Sequence, residues 1–354
     1  MQQAERPPAF PGAARVLREA IARRVFPGAV AEIGGPGGPW WRHGAGRLTY
    51  EESSPPATVE TIYDLASLTK VICTATLAMR LAEGGGLPLD APLGRRLAAW
   101  RGGGRGSVTI RHLLSHAAGL PAWLPLYETC SGRADFERAI CRVPLAYAPG
   151  SASVYSDLGF ILLGFVLEDA VGATLPAQLR AVADGWPEAA ALGFAVEPGE
   201  VERTAPTQQD EWRGRLLRGE VDDRNAHAIG GAAGHAGLFG TAPAVGAFAA
   251  RVLRGLEGDE AALGVSRETL RRFTSRAGIP GSSRALGWDT MLPSSSCGSR
   301  LSPRAFGHTG FTGTSLWIDP ERRLYAVLLA NRVHPSAGDP AAILAVRQAF
   351  HDAL

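Results

Sequence analysis

Apolar residues recur at helical spacing near the start of the chain. Val16, Leu17, Ala20, Ile21 and Val25 fall on one face and predict an amphipathic helix over residues 12–25. Two runs follow, PGAVAEIGG at 27–35 and WWRHGAGRLTY at 40–50, read as strands around a Gly/Pro-rich turn at 34–39. TIYDLAS at 61–67 is briefly extended, and LTKVICTATLAMRLAEGG at 68–85 predicts a buried helix stopped by Gly84–Gly86. From about 90 to 280 the pattern is mostly helical, broken by turns. RGGGRGS at 101–107 is one such turn, because it lacks the Gly-Lys-Ser/Thr ending of a phosphate loop. Past 285 the texture changes to strand-like runs: ALGWDTML, RAFGHTGFT, TSLWIDP and RLYAVLLANR, with Asp319 to Arg322 as a hairpin turn. DPAAILAVRQAFHDAL closes the chain as a helix. Strands near both ends with helices between predict one sheet built from both termini, flanked by the terminal helices. The division expected is a discontinuous sheet domain, residues 1–75 and 285–354, with an inserted mainly helical lobe, 76–284. The active site would lie between them.

Composition narrows the classes of function. Of 354 residues, 45% are apolar and 20% charged, and the net charge is +2, so no basic footprint for nucleic acid stands out. No run approaches the roughly 20 apolar residues that span a bilayer, so no membrane partner is expected. Cys73, Cys130, Cys141 and Cys297 have neither metal-ligand nor CxxC spacing. The N-terminal stretch lacks the continuous apolar core of a signal peptide. A cytoplasmic location is expected, a periplasmic one only if a leader is missing. Nothing calls for a cofactor or a metal, and the oligomeric state is open.

One residue stands apart: Lys70 is the single lysine beside 35 arginines. An ammonium can lose a proton when desolvated, whereas a guanidinium stays charged. Lys70 follows Ser67 by three residues on a predicted helix, which puts the two side chains on one face about a turn apart. The amine could then take the proton of the hydroxyl, otherwise a poor nucleophile. Leu68, Val71, Ile72 and Leu77 are apolar and would favour the neutral amine.

Three motifs follow one another: Ser67-Leu68-Thr69-Lys70, Tyr155-Ser156-Asp157 and His308-Thr309-Gly310. With LLSHAAGLP at 113–121, GLFGTA at 237–242 and the WIDPE…AVLLANR finish, they resemble the class C β-lactamase-related family of serine hydrolases over about residues 14–350. That family includes D-alanyl-D-alanine carboxypeptidases, D-aminopeptidases, esterases and cell-wall amidases. The resemblance implies the β-lactamase/transpeptidase-like fold, an antiparallel sheet flanked by the N- and C-terminal helices with a helical lobe. It implies that Ser67 attacks an acyl carbon, that Lys70 and Tyr155 share general-base duty, and that water then hydrolyses the acyl-enzyme. The backbone N–H groups of Ser67 and Phe311 would form the oxyanion hole. Asp157, His308, Thr309, Gly310 and His235 would meet the substrate, a small ester, amide or D-amino-acid peptide.

Two departures limit what carries over. Asp157 stands where most members have Asn, and a carboxylate near Lys70 would hold the amine protonated and shift base duty towards Tyr155. His308 replaces a lysine that helps bind a substrate carboxylate, and a neutral imidazole holds an anion less well. Strong β-lactamase activity is therefore not expected; a weak β-lactamase and a sensor that stays acylated are the alternatives on this fold. A Ser-His-Asp hydrolase with a Gly-x-Ser-x-Gly elbow finds no matching serine. A Schiff-base role for Lys70 leaves Ser67 and Tyr155 unexplained. His112 and His116, four apart, lack the Glu of a zinc-protease motif and read as helix-end residues. His227 and His235 flank a Gly-rich stretch at the expected cleft rim, while Glu128, Asp135, Asp222 and Asp223 read as solvated charges.

Overall fold

A computed structural model describes residues 9–102 and 104–354. Residues 1–8 of the expected sheet domain and Gly103 of the 101–107 turn lie outside them. Helix α1 (Pro11–Ala22) begins with proline, whose missing N–H and fixed φ suit a first turn. It buries Val16, Leu17 and Ala20 and ends three residues before the expected Val25, where Arg24 turns to φ 55°. Strands β1 (Gly28–Gly35) and β2 (Gly38–Gly46) form a hairpin, with Gly38 at φ 114° supplying the turn. The remaining strands come from the other end of the chain: β3 (Asp289–Thr290), β4 (Phe306–Thr309), β5 (Ser315–Asp319) and β6 (Leu324–Ala330). Their order is β2-β1-β6-β5-β4-β3, and every pairing is antiparallel. The sheet is thus discontinuous in sequence, as expected, with Ala31 opposite Leu328 at the seam between the two halves.

Alternation along the central strands explains the layers. Ala29, Ala31 and Ile33 of β1 and Ala326, Leu328 and Ala330 of β6 share a core with α1 and with α5 (Pro340–Asp352), through Ile343, Val346 and Phe350. The opposite face, with Val30, Val327 and Leu329, joins the larger core that includes Val245, Phe248 and Val252. Those three belong to α4 (Ala242–Glu257), which is capped by the Thr241 side chain. The expected inserted segment, 76–284, contains α4, yet α4 packs on β1 and β6. The sheet layer therefore draws a helix from inside that segment.

The lobe is built around α3 (Asp157–Val171), in which Leu158 to Leu167 are all buried. A helix apolar all round belongs inside a core, and no single helix among the described residues is long and apolar enough to cross a membrane. The stretch from 90 to 280 is less helical than its apolar spacing suggests. It holds long turns, the short strand pair Gln209–Asp210 with Arg215–Leu216, and the strand Phe239–Gly240, which pairs with Tyr63–Asp64 from outside the stretch. The predicted helix at 68–85 is also not uniform. Ala66–Leu68 is a tight 3-10 turn, Lys70–Ala75 is wound wider as a π-helix, and α2 (Thr76–Glu83) is regular. Such π segments inside helices are frequent where a side chain must be re-aimed at a functional site.

Gly246 lets α4 approach β1: a Cβ there would lie 1.8 Å from Glu32 Oε1. Glu32 cannot swing away, because Tyr325 donates to it at 2.7 Å and Arg42 at 2.6 Å. Gly246→Ala is therefore expected to destabilise the fold by about 1–3 kcal/mol. A urea unfolding curve within about 0.5 kcal/mol of wild type, the ordinary scatter of surface substitutions, would contradict this account of the α4–sheet contact.

Candidate active site

The cleft between sheet and lobe encloses about 760 Å³, and Ser67, Tyr155, Asp157, His235, His308, Thr309, Gly310 and Phe311 all line it. Ser67 sits on the tight turn that enters the π-helix, immediately after Ala66, whose φ is +48°. A left-handed alanine carries strain of about 1–3 kcal/mol and persists only where its surroundings hold it. Asp64 is one such support, accepting the Ala66 N–H at 2.8 Å. The Thr309–Thr314 turn is another, since Thr312 Oγ1 donates to Asp64 O at 2.8 Å and Thr314 Oγ1 to Leu65 O at 3.0 Å. Gly310 permits this approach: a Cβ there would stand 2.1 Å from Thr314 Oγ1 and 2.7 Å from Leu65 O. These contacts bring the turn that carries Phe311 against the turn that carries Ser67.

Lys70 is fully buried and reaches three groups from three segments. Its Nζ donates to Ser67 Oγ at 2.9 Å and to His235 O at 3.0 Å, and lies 2.7 Å from Asp157 Oδ1. Burial alone would favour the neutral amine, as its apolar neighbours suggest. Asp157 and Tyr155 outweigh it, and the amine is held above the ordinary lysine value, in its charged form. Asp157 is well placed for this, because it opens α3, where the helix dipole favours a carboxylate. Ser156 caps the same helix. Tyr155 therefore enters the cleft from a fixed helix start, its ring centre 4.9 Å from Lys70 Nζ.

The histidines fall into distinct roles. Thr109 N–H donates to His112 Nδ1 within a capping box, a helix-end role as expected. His116 ends the same short helix at φ 57° and is buried against the Tyr155 ring, centroids 4.5 Å apart. Its Nδ1 accepts the Ser156 N–H at 3.0 Å, so Nε2 carries the proton. His308 Nδ1 donates to Thr309 O at 2.8 Å, which leaves Nε2 as a bare acceptor. Burial, then the charges of Arg284 and Lys70, keep both rings well below the ordinary histidine value and neutral. His235 bonds Asp223 through Nε2 at 2.9 Å, while His227 lies edge-on to Trp212 outside the cleft lining.

Several cleft residues escaped the sequence reading. Asp222 and Asp223, expected as solvated charges, line the cleft, and Asp222 is buried. Burial and then Asp222 push Asp64 up to about 7, and burial raises Asp222 to about 6. Two adjacent acids in one sequence look like surface charge, and only the fold turns them inward. Arg284 is the other omission. Its guanidinium stacks 4.9 Å above the Tyr155 ring and lines the cleft, and among the described residues no carboxylate lies within ion-pair distance of it. Among 35 arginines nothing singled it out. Among the described residues no group of three His, Cys, Asp or Glu is arranged to hold a metal.

The raised carboxyls make stability depend on pH. A carboxyl whose folded-state value lies above its unfolded value keeps a proton that the unfolded chain releases. Its stabilisation is full below the unfolded value, near 4, and is lost as pH rises through the folded value. For Asp222 that window runs from 3.8 to about 6. Urea midpoints measured across it should fall less steeply with pH in Asp222→Asn than in wild type. Parallel curves for the two proteins would show that Asp222 is not held protonated by the fold.

Comparison with known proteins agrees with this geometry. The β-lactamase family model matches residues 13–350. A curated relative from Escherichia coli (strain K12), named "Putative D-alanyl-D-alanine carboxypeptidase", is 31% identical over 325 residues, 82% of this chain and 73% of the relative. Among solved structures, EstCE1, described as a hydrolase with promiscuous acyltransferase activity, aligns with a TM-score of 0.74 at 22% identity, covering 96% of this chain and 98% of its own. A penicillin-binding protein homologue from Caulobacter crescentus aligns with a TM-score of 0.75 at 20% identity, covering 98% and 97%. At these identities the two structures establish the fold: an antiparallel sheet with a helical lobe, the β-lactamase/transpeptidase-like arrangement. Family match, curated relative and fold agree, and the chain belongs to the β-lactamase family of serine hydrolases.

Proposed function

We propose that the protein cleaves short peptides ending in a D-amino-acid carboxylate, through an acyl-enzyme on Ser67. The observation that carries this reading is Arg284, a cleft guanidinium with no ion-pair partner among the described residues, set against the Tyr155 ring. A guanidinium there can take a substrate carboxylate in place of the family lysine that His308 replaces. The E. coli relative's name points to the same class of substrate.

In this reading Ser67 Oγ bonds to the acyl carbon while its proton passes to Tyr155. Lys70, already charged and paired with Asp157, donates to Ser67 Oγ and does not accept that proton. Lys70 also faces the Tyr155 ring, its Nζ 4.9 Å from the ring centre. The oxyanion sits between the N–H groups of Ser67 and Phe311, donors worth about 3–4 kcal/mol each in comparable sites. Tyr155 returns the proton to the leaving amine. Water then attacks the ester, releasing the acid and Ser67. His308 supports a second reading, hydrolysis of uncharged esters, because its neutral imidazole adds no cation for a carboxylate.

One panel separates the two readings: a D-alanyl-D-alanine peptide, its C-terminal amide, p-nitrophenyl acetate and nitrocefin. A fluorophosphonate should label Ser67 in wild type and leave Ser67→Ala unlabelled. Arg284→Gln should lose about ten- to a hundredfold in kcat/KM on the free-carboxylate peptide, as expected for a lost hydrogen bond to a charged group. Its rate on p-nitrophenyl acetate should stay near wild type. Equal turnover of peptide acid and amide by wild type would favour the ester reading. Labelling that survives Ser67→Ala would overturn the acyl-enzyme itself.

A further inference from the structure

Asp64 supports the Ala66 turn, and it makes a further contact, with Asp222, that the roles above leave out. It is buried, it is one of the residues that line the cleft, and it lies three residues before Ser67. One carboxylate oxygen accepts the Ala66 N–H at 2.8 Å, and the other accepts the Asp222 N–H at 2.7 Å. Its own carbonyl accepts from Thr312 Oγ1 at 2.8 Å. One residue is therefore bonded to three strips of chain that meet at Ser67.

Each strip carries a different part of the site. The Ala66 bond fixes the left-handed turn that presents Ser67. The Thr312 bond fixes the turn that presents Phe311. The Asp222 bond leads through the next residue: Asp223 holds His235 at 2.9 Å, and the His235 carbonyl accepts from Lys70 at 3.0 Å. Asp64 is thus joined both to the nucleophile and, by a chain of hydrogen bonds, to the ammonium beside it. We propose that Asp64 is a positioning residue for the Ser67 nucleophile, holding the strained Ala66 turn in register with the Asp222–His235 limb that seats Lys70.

The residue type fits this task. Two N–H donors converge on the side chain, and a carboxylate offers an acceptor to each. Asparagine offers one acceptor and turns an NH₂ towards the other donor. The site also tolerates an unfavourable arrangement: burial and the nearby carboxyls of Asp222 and Asp223 raise Asp64 to about 7. A carboxyl kept where burial opposes its charge is a common mark of a functional cluster.

The inference rests on Ser67 as the nucleophile, and labelling of wild type by a fluorophosphonate tests that reading separately. The direct test is a cycle of Asp64→Asn, Ala66→Gly and the double variant, with kcat and KM on p-nitrophenyl acetate and urea midpoints for each. Glycine enters the left-handed region without strain, so a turn containing it has less need of Asp64. Asp64→Asn should lower kcat by about ten- to a hundredfold with KM little changed, the size of loss that a small misplacement of a reacting group produces. In the Ala66→Gly background the same substitution should cost about threefold or less, a coupling expected only of groups that act together. Should Asp64→Asn not fold, a folded double variant with the activity of Ala66→Gly supports the proposal equally. Equal losses in the two backgrounds, a loss confined to KM, wild-type kcat in Asp64→Asn, or failure of the double variant to fold would each overturn it.

Discussion

The arrangement depends on one ammonium placed where water cannot reach it. Lys70 is fully buried, and a charge there is tolerated only when paired and hydrogen-bonded. Asp157 supplies the counter-charge, and the His235 carbonyl and Ser67 Oγ accept hydrogen bonds from the ammonium. These groups come from the start of α3, the loop before α4 and the turn before the π-helix, so the charge is satisfied only when all three have docked. Leaving either charge of such a pair without its partner typically costs about 3–5 kcal/mol. Because the amine's folded-state value is raised, its contribution to stability is full below the ordinary lysine value and is lost as pH rises through the raised value.

The backbone around this charge explains why the site sits at the seam between sheet and lobe. Ser67 follows a left-handed alanine, and the strain is held by bonds from Asp64 and from the turn after β4. That turn is anchored in turn by α5, since Arg347 donates to both Gly310 O and Thr314 O. The sheet, its C-terminal helix and the turn that carries Ser67 therefore form one support. Gly310 makes the contact possible by having no side chain where Thr314 and Leu65 approach. The cleft is a consequence of this three-way junction.

Much of this was legible in the sequence, and for identifiable reasons. The sheet built from both termini followed from short apolar runs at each end, and β1 paired with β6 as that pattern required. The lone lysine marked the chemistry because every other cationic side chain is arginine. The departure at Asp157 carried its meaning in its charge, and it is the carboxylate found against Lys70. What stayed hidden was tertiary. The protonating effect of Asp157 on Lys70 was readable beside its desolvation by Leu68 and Val71, but not the added pull of Tyr155. α4 looked like a lobe helix because sequence position does not say which core a helix face meets. Asp222 and Asp223 looked solvated because paired acids usually are. His116 looked like a helix end, and it is one; its contact with Tyr155 arises from a loop that returns to it.

The central claim is that Lys70 is a charged partner of Asp157 at working pH and not a free base. With one lysine in the chain, protein grown on ¹³Cε-lysine gives a single side-chain signal at that carbon. The account predicts that this signal keeps its ammonium position throughout the neutral range and titrates only above about 10.4, the ordinary lysine value. A midpoint near neutrality, with the fold intact by circular dichroism, would contradict it and return the base role to the amine.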